Sequence, residues 1–575
     1  MALAYPTSHT QTYQCSLSSK STSLSSFSLW PVQSQVHIMF NYVTKLAVVS
    51  AVFATVQANN CAGAAERPPT AELQIISYND VYEMKPYNDG NGILVGGPSH
   101  VVPLTKTLRK TYENSLVLFA GDTMSPSLWS AYFKGLHMID AHNAIGVDYA
   151  CLGNHEFDFG IDGFLNVSAK SEFPWLNANA FELGTKQLLR GTKPNAVKTF
   201  KSATMGSFKV GLFGVMYDMK DDSKGLYWTD PIVAAKEQVA YLRDVEKVDF
   251  VIALTHQFLD DDNVFSQEVN GVDMIYGGHD HSAMYQTQFG TPYLKSDLDM
   301  RNIWFSHLKW YAARSKSNGT AATPAFTKMT HKNFPITEAL PTDAALDAVI
   351  ATYEAQIKDL NQRVVGSLCE PTDLTKLAVR FKESPIGNYI SDGFLSFYKA
   401  RVNVEVAIMN GGGIRTDRVW PAGEINVGDL ISWSPFGNVL VVVRTDGLSL
   451  KKLINSEMVA SCGGNNLVAE NGIYIHSAGV KYVFVCNGLK SGAVTDLTWI
   501  GGNRTGAVLD TDVFNFALPD FVYARFKKAG GNTIQLIIPA AEASRHEVTI
   551  DEFTKIQPNR TVCPKLEGRS LVKFA

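Results

Sequence analysis

Several features that would narrow the function are scarce or missing in this sequence. Charged residues make up only 18% of the 575 residues, Lys and Arg (51) nearly balance Asp and Glu (55), and no dense basic run occurs. Binding to nucleic acid polymers is therefore not expected, because it needs a basic surface. No apolar run reaches the ~20 residues that a membrane-spanning helix needs. Residues 570–575 also lack the hydrophobic tail of a lipid-anchor signal, so we expect no stable membrane anchor.

The N-terminal segment carries features of an exported protein. Residues 1–38 are rich in Ser and Thr, whereas the segment that begins at Met39 carries Lys45, a short apolar run and then Ala58. A positive charge, an apolar run and a small residue, in this order, are typical of a secretory signal. We therefore interpret residues 1–58 as leader and signal peptide and expect an extracellular product. Translation starting at Met39 would retain the same export signal.

The sequence contains few cysteines, and an even number of them follow the leader. One of the 7 lies in the leader, and the others are Cys61, Cys151, Cys369, Cys462, Cys486 and Cys563. Six cysteines permit disulfides without specifying their pairing. Cys151 stands in an apolar run and is expected to be a buried free thiol. Four triplets could accept glycans, at Asn166, Asn318, Asn503 and Asn559.

The length of the chain predicts roughly two to four folding units. The first of them, residues 71–335, shows one repeating pattern. Short, apolar, β-rich runs are followed by a Gly or Asn turn and then by a side chain that can bind metal. Runs of this kind suit a sheet flanked by helices. Since α/β proteins place their sites beyond the carboxyl ends of such strands, we expect one edge to hold Asp80, Asp122, Asn154, His155, His256, His279 and His281.

A connector and a second domain follow. Residues 341–362 carry apolar side chains at the spacing of a single helical face, with Thr342 as the expected N-cap. We interpret this segment as a linker helix. Residues 365–575 contain more strand-like runs and predict a second α/β domain, with strands at 404–409, 439–444, 480–486 and 533–538.

The residue types of the first domain suit two divalent ions. Ions ~3.5–4 Å apart can polarise a phosphoryl group, activate water and stabilise a leaving oxygen. Such a pair needs a bridging carboxylate, and Asp122 in its Gly-Asp turn is the best candidate. Imidazole, carboxylate and amide oxygen form a borderline-to-hard donor set that suits Zn or Mn. Each motif alone is weak, because a Gly-Asp turn is usually only a turn; the prediction depends on their order along the chain.

In that order the motifs resemble the metallophosphoesterase signature. They are Asn79-Asp80-Val81-Tyr82, Gly121-Asp122, Gly153-Asn154-His155-Glu156-Phe157-Asp158, His256 and Gly278-His279-Asp280-His281. The resemblance implies a β-sandwich flanked by helices. It also implies that one ion is bound by Asp80, Asp122 and His281 and the other by Asp122, Asn154, His256 and His279. His155 and Asp158 are implied to form a catalytic dyad, in which Asp158 orients the imidazole and His155 protonates or stabilises the leaving oxygen.

One position departs from the family's pattern. The family commonly has Asp-x-His where this chain has Asp80-Val81-Tyr82. A phenol with a pKa near ~10 is a poor Zn ligand unless ionised, although tyrosinate binds harder ions such as ferric iron. Water, Glu83 or Tyr82 could complete that site, and Tyr82 could equally be an aromatic wall of the cleft. His137 and His142 lie outside the motifs, in a predicted helix, and are expected on its solvent face.

The second domain resembles the C-terminal nucleotide-binding domain of the 5'-nucleotidase family. The motifs are Arg380-Phe381-Lys382-Glu383-Ser384, Gly387-Asn388, Met409-Asn410-Gly411-Gly412-Gly413-Ile414-Arg415 and Ser434-Pro435-Phe436-Gly437. The resemblance implies that Arg380, Asn410 and Arg415 hold the substrate and that Phe436 stacks on the base, with core packing as the alternative for Phe436. A second stacking ring is implied at Phe521, although Asn532 replaces the acid of the family's Gly-Gly-Asp.

Together these features predict a secreted two-metal phosphohydrolase that acts on nucleotides, with 5'-nucleotidase activity as the leading hypothesis. The same site could instead serve a 2',3'-cyclic phosphodiesterase, a nucleotide-sugar hydrolase or an apyrase. A secreted nucleotide-binding protein with a decayed active site is the alternative from another class, suggested by Tyr82 and Asn532. The expected partner is a nucleotide or nucleoside phosphate, and the sequence does not specify the oligomeric state.

Overall fold

The computed structural model describes residues 68–88, 92–202, 204–219, 225–313, 325–463, 466–467 and 474–575. The predicted leader and signal peptide, Cys61 and the Asn318 triplet lie outside the described residues. Within them, the chain forms an N-terminal β-sandwich, a pair of joining helices and a C-terminal α/β unit. The predicted α/β class is confirmed.

Two stacked sheets form the N-terminal domain. The seven-stranded sheet has, in spatial order, the strands Phe326–Pro335, Asn302–Tyr311, Ala71–Tyr78, Ser115–Phe119, Tyr149–Cys151, Trp175–Leu176 and Thr192–Lys193. The six-stranded sheet has Met284–Gln286, Tyr293–Lys295, Met274–Gly278, Phe250–His256, Gly206–Met216 and Asn195–Ser202. Two small sheets pair Tyr87–Asn88 with Leu94–Val95 and Ala180–Glu182 with Leu226–Trp228. Apolar side chains of both large sheets meet between them, among them Leu73, Ile75, Leu212 and Leu254.

The strands that precede the predicted ligands are parallel within each sheet. In the seven-stranded sheet they are Ala71–Tyr78, Ser115–Phe119 and Tyr149–Cys151, and in the six-stranded sheet they are Phe250–His256 and Met274–Gly278. The sequence pattern indicated one sheet edge, whereas the ligands come from two sheets whose carboxyl ends meet. A strand covered by a second sheet and by helices has the same continuous apolar pattern as one covered by helices alone, so the pattern could not separate these cases.

Helices cover the outer faces of the sandwich. They are Pro98–Thr111, Leu128–Phe133, Leu136–Ile145, Gly160–Ser168, Pro231–Ala240 and Leu259–Glu268, with a 3-10 turn at Asn154–Phe157 and a π turn at Tyr241–Val245. On the outer face of the six-stranded sheet, Phe213 and Val251 pack with Ala235 and Phe265 of two of these helices. The sandwich therefore has apolar packing on both faces of this sheet.

The helix Leu136–Ile145 buries two histidines that were expected on its solvent face. His142 is fully buried, and its ring nitrogens lie 2.9 Å from the Tyr78 hydroxyl and 2.8 Å from the Thr123 hydroxyl. His137 is fully buried among the rings of Trp129, Phe133 and Tyr353. The expectation was wrong because helices pack against this helix on two sides, Pro98–Thr111 and Ala344–Gln356, which leaves few positions for solvent.

Two consecutive helices, Ala344–Gln356 and Lys358–Gln362, lead from the sandwich to the C-terminal unit. Asp343, rather than Thr342, caps the first of them, and its carboxylate accepts the N–H of Leu346 at 3.1 Å. The prediction was displaced by one residue because both residue types are good caps, while a carboxylate also interacts favourably with the positive end of the helix.

The C-terminal domain is built on a mixed five-stranded sheet. In spatial order its strands are Ile475–Ala478, Val404–Asn410, Val513–Pro519, Leu440–Asp446 and Gln535–Ile538. The smaller sheets contain Gly423–Asn426, Val364–Leu368 and Thr561–Val562; Ser491–Trp499, Val480–Gly488 and Ser570–Phe574; and Thr372–Asp373 with Val419–Trp420. The helices are Lys376–Val379, Pro385–Val402, Val427–Trp433, Gly447–Val459, Asp520–Lys528 and His546–Lys555, with 3-10 turns at Gly411–Gly413, Ala540–Glu542 and Pro558–Arg560.

Two disulfides lie in the C-terminal domain. Cys369 pairs with Cys563 across 194 residues of sequence, and Cys462 pairs with Cys486. Cys151 is a buried free thiol, as predicted. Among the described residues, no helix is both long enough and apolar enough to cross a membrane.

Candidate metal and catalytic site

Four of the predicted ligands have left-handed backbone conformations. The φ angles are 52° at Asp80, 67° at Asp122, 86° at His279 and 54° at His281. Such conformations at residues other than glycine cost of order 1–3 kcal/mol each and cluster at functional sites. In this chain they turn the backbone sharply just beyond the sheets and bring side chains from both sheets together.

The first group of polar atoms comprises Asp80, Tyr82 and His281. His281 Nε2 lies 3.1 Å from Asp80 Oδ1. The Tyr82 hydroxyl lies 3.0 Å from the same oxygen and 3.3 Å from Asp122 Oδ2. Asp80 and Tyr82 are 0% and 3% exposed. Tyr82 therefore stands among the predicted ligands of the first ion.

The second group comprises Asp122, Asn154, His256 and His279. His256 Nε2 lies 3.1 Å from Asp122 Oδ2, and His279 Nδ1 lies 3.0 Å from Asn154 Oδ1. Burial lowers the pKa of His256, but the Asp122 carboxylate outweighs it and raises the pKa to about 10. Asp122 contacts members of both groups, which is the position that a bridging carboxylate needs.

His155 and Asp158 form a hydrogen-bonded pair beside these groups. His155 Nδ1 lies 2.7 Å from Asp158 Oδ2, and His155 Nε2 lies 3.9 Å from Asp122 Oδ2. Burial lowers the pKa of His155, but the Asp158 and Asp122 carboxylates raise it above its ordinary value. The pair can therefore keep a protonated imidazole next to the predicted bridging carboxylate.

The donor set fits a pair of divalent ions. Asp122, His256 and His279 offer ligand atoms that all lie within 4.8 Å of one another. Within the described parts of the chain, the buried Nε2 of His279 has no hydrogen-bond partner. Carboxylate, amide and imidazole donors around a shared aspartate suit borderline-to-hard ions. The protein therefore has the residues to hold two ions side by side.

Basic side chains of the C-terminal domain face the same cleft. Arg380 and Arg415 line it together with Tyr82 and His281. Burial and the neighbouring Arg415 lower the pKa of Arg380 to about 9. Asn410 lies at the end of its strand and is buried. Two neighbouring guanidinium groups repel each other unless an anion lies between them. The pair therefore suits a phosphate or carboxylate ligand.

Phe436 lies against the dyad, whereas Phe521 does not. The Phe436 ring is 5.6 Å from the His155 ring with 24° between their planes, and the Arg415 guanidinium is 5.3 Å from the Phe436 ring. Phe436 is only partly buried, so it is not a core residue. Phe521 is 52% exposed and has Arg525 over its ring. Neither Phe521 nor Asn410 is among the residues that line the cleft with Arg380 and Arg415.

Two family models match the chain. One is calcineurin-like phosphoesterase, over residues 79–283, and the other is 5'-nucleotidase, C-terminal domain, over residues 363–531. The chain belongs to the 5'-nucleotidase family. With its calcineurin-like phosphoesterase domain, this family member is a metal-dependent phosphoric ester hydrolase, and its fold implies divalent metal ions.

Relatives and solved structures span most of this 5'-nucleotidase family member. It is 24% identical to 5'-nucleotidase of Homo sapiens in an alignment of 552 positions that covers 88% of this chain and 91% of that protein. It is 25% identical to trifunctional nucleotide phosphoesterase protein YfkN of Bacillus subtilis over 80% of this chain, but it spans only 33% of that longer protein. The crystal structure of a 5'-nucleotidase precursor from Thermus thermophilus matches with a TM-score of 0.74 and 22% identity, over 88% of this chain and 99% of that one. The last match confirms the two-domain fold.

Glu156 is a part of the candidate site that sequence reasoning missed. Its buried carboxylate accepts the N–H groups of Asp122 at 3.0 Å, of Thr123 at 2.8 Å and of Gly153. Burial and the nearby Asp122 raise its pKa to about 7. A Cβ at Gly153 would lie 2.1 Å from Asp122 Oδ1, so only glycine fits there. The available signal was the place of Glu156 inside the Gly-Asn-His-Glu motif.

Asp299 and Lys295 also support the site and lie far from its motifs in sequence. Asp299 Oδ1 accepts the N–H of Tyr82 at 2.8 Å. Lys295 is buried and forms an ion pair with Asp280, which stands between the two histidines of its motif. Neither residue carries a sequence signal, because the contacts form only when distant strands of the sandwich assemble.

Proposed function

We propose that this protein is a secreted 5'-nucleotidase, which releases phosphate from nucleoside monophosphates. The observation that carries the proposal is the contact between the two domains at the dyad. His155 belongs to the phosphoesterase domain, and the Phe436 ring stacked on it belongs to the nucleotide-binding domain. Two arginines for an anion line the cleft, and Arg415 also contacts Phe436. The aromatic ring for a base and the protonated histidine for a leaving oxygen, which stack on each other, therefore lie beside these arginines.

The roles of the residues in this proposal follow from their positions. Asp80, Asp122 and His281 would hold one ion, and Asp122, Asn154, His256 and His279 the other, with Zn or Mn as the ions that suit these donors. When bound, such a pair activates water for attack and neutralises charge on the phosphoryl oxygens. His155, held by Asp158, would donate its Nε2 proton to the leaving ribose oxygen.

The C-terminal residues would fix the substrate. Arg380 and Arg415 offer charged donors to phosphate oxygens, and Asn410 offers an amide to the sugar. Phe436 would stack on the base, a contact worth about 0.5–1.5 kcal/mol beyond its buried area. Phe521 would be the second stacking ring; it is 52% exposed, and the Arg525 guanidinium lies 5.8 Å from it.

A nucleotide panel tests the activity. Purified protein is offered nucleoside monophosphates, di- and triphosphates, 2',3'-cyclic nucleotides and nucleotide sugars, with Mn or Zn and again after chelation. We expect metal-dependent phosphate release with monophosphates as the preferred substrates. Asp122→Ala should lose the metal and the activity, whereas Asn532→Ala, in the exposed loop that contacts Asp446, is a control that should keep the metal. Absence of metal-dependent release from every nucleotide would leave a nucleotide-binding protein with a decayed site.

Secretion is the second part of the proposal. It is supported by the signal-like segment ending at Ala58, by two disulfides and by the exposed positions of Asn166, Asn503 and Asn559. Expression in a eukaryotic secretory host should yield protein in the medium that begins near residue 59 and loses mass on deglycosylation. Retention inside the cell with residues 39–58 still attached would contradict secretion.

A further inference from the structure

The hydroxyl of Tyr82 lies at the centre of the first group of polar atoms. Its Oη is 3.0 Å from Asp80 Oδ1, 3.3 Å from Asp122 Oδ2 and 3.3 Å from His281 Nε2. The ring is 3% exposed and meets the His155 ring edge to face at 5.8 Å. The side chain lines the cleft, and its hydroxyl points into the cluster.

Hydrogen bonds alone serve this arrangement poorly. A phenol has one proton to donate, and two carboxylate oxygens and an imidazole nitrogen surround it. His281 Nε2 also lies 3.1 Å from Asp80 Oδ1. A proton on this nitrogen would therefore be directed at a carboxylate oxygen that the phenol also contacts. His256 Nε2 reaches Asp122 Oδ2 at 3.1 Å from the other side, but the single proton of the phenol can serve only one of its three neighbours. A cation would satisfy all of them at once.

The spacing of these atoms is that of ligands around one ion. Bonds of about 2.0–2.2 Å to oxygen and nitrogen place neighbouring ligand atoms about 2.8–3.6 Å apart, for octahedral and tetrahedral arrangements respectively. The separations of Tyr82 Oη from its three neighbours, and of His281 Nε2 from Asp80 Oδ1, range from 3.0 to 3.3 Å. We propose that Tyr82 Oη is a protein ligand of the first ion, in the place of the histidine that the family commonly has there.

The main chain around Tyr82 holds the hydroxyl in this place. Asp299 Oδ1 accepts the N–H groups of Tyr82 at 2.8 Å and of Glu83 at 3.1 Å. Asp80, two residues earlier, has a left-handed φ of 52°. The Asp80 N–H also donates to the Gly121 carbonyl at 2.9 Å, so hydrogen bonds hold the loop on both sides of Val81.

This ligand changes the chemistry of the first position. Ligation of the phenol releases its proton to solvent, so the first ion receives three oxygen donors, from Asp80, Tyr82 and Asp122, and one nitrogen, from His281. The second position offers two oxygens and two imidazole nitrogens. Oxygen-rich sites favour harder ions such as Mn(II) or Fe(III), and imidazole-rich sites favour Zn. The two positions of the pair therefore prefer different ions.

The test measures ligation without enzyme activity. Chelated wild-type protein is titrated with Zn(II), while near-ultraviolet difference absorption records tyrosine ionisation and elemental analysis counts bound ions. A parallel sample receives Fe(III) and is scanned for the visible charge-transfer band of an iron–phenolate bond. We expect two ions per chain, a tyrosinate signal equal to one residue, and the visible band.

Three variants assign the signal. Tyr82→Phe should lose both signals and bind the first ion at least about tenfold more weakly, because one ligand is lost. Tyr82→His should lose both signals but keep two Zn(II) ions, which separates loss of this ligand from misfolding. Tyr217→Phe is the matched control: its ring lies 5.0 Å from the ring of His279, a proposed ligand of the second ion, and the signals should remain.

The inference rests on the proposed function only for the existence of the two-ion site. Two ions bound by the wild type without tyrosine ionisation, or an unchanged spectrum and affinity in Tyr82→Phe, would overturn it. A single bound ion without the tyrosinate signal would overturn it as well. A tyrosinate signal in a protein that hydrolyses no nucleotide would support this inference and refute the proposed function, so the two failures are distinguishable.

Discussion

Replacement of Asp158 by Asn tests how the dyad works, because the Asp158 carboxylate lies 2.7 Å from His155 Nδ1. Asn keeps the size of the side chain but removes the charge that raises the His155 pKa. For unit charges ~4 Å apart at an effective dielectric constant near 20, Coulomb's law gives about 4 kcal/mol. Solvent screens the partly exposed Asp158, so we take this energy as the scale of the effect, which corresponds to a fall in turnover of roughly 10³-fold at neutral pH.

The assay is a double-mutant cycle on initial rates of phosphate release at saturating nucleoside monophosphate. His155→Ala should lower the rate by about 10²–10⁴-fold, the usual contribution of a general acid. If Asp158 acts through His155, then Asp158→Asn should cause little further loss in the His155→Ala background. Metal content should be unchanged in all variants, since neither residue is a proposed ligand.

An aryl phosphate provides the second arm of the experiment. Its leaving oxygen is a weak base and departs without protonation, so both variants should lose much less activity on it than on a nucleotide. The reasoning is refuted if the losses from the two substitutions multiply, or if each variant loses the same factor on both substrates.

Three further predictions concern the surroundings of the site. Glu156→Gln should weaken metal binding about 10–100-fold, measured by competition with a chelator, because Glu156 accepts the amides of the Asp122 turn; unchanged affinity would contradict its positioning role. Arg415→Ala should lower kcat/KM for nucleotides by roughly 10–100-fold, the worth of a charged hydrogen bond of about 1.5–3 kcal/mol, with metal content intact and partial recovery in Arg415→Lys. Burial lowers the pKa of His546 to about 3. Its contribution to the free energy of unfolding is therefore present above about pH 6.5 and is lost as the pH falls toward 3, by at most about 1.4 kcal/mol per pH unit. In denaturant unfolding of chelated protein, the free energies of unfolding at pH 5 and pH 7 should differ less in His546→Gln than in the wild type.

Much of the candidate site was predictable because its candidate ligands follow strands directly. A buried strand is a short apolar run, and the residue after it must turn and meet the edge of the sheet. Asp122 and His256 were therefore candidates from the strand pattern and from the order of the motifs, and the structure places them 3.1 Å apart. The strand pattern is informative here because the geometry of a strand end is local.

The remaining features depended on contacts between distant segments. Nothing near Asp299 in the sequence indicates that it accepts the amide of Tyr82, 217 residues away. His142 is polar and helical, and only the packing of other helices shows that it is buried. The disulfide pairs were open for the same reason, since six cysteines allow 15 pairings and the choice depends on which strands become neighbours.

The left-handed backbone at the ligands also limits how this site can change. Asp, Asn and His tolerate that conformation better than most residues other than glycine, and the four left-handed ligand positions are occupied by Asp or His. Glu, Cys or Met would bring new donor atoms at the cost of backbone strain, whereas Tyr82 is not among the residues with positive φ. The metal preference of this site is therefore easiest to change, by selection or by design, at Tyr82, the position that already departs from the family's pattern.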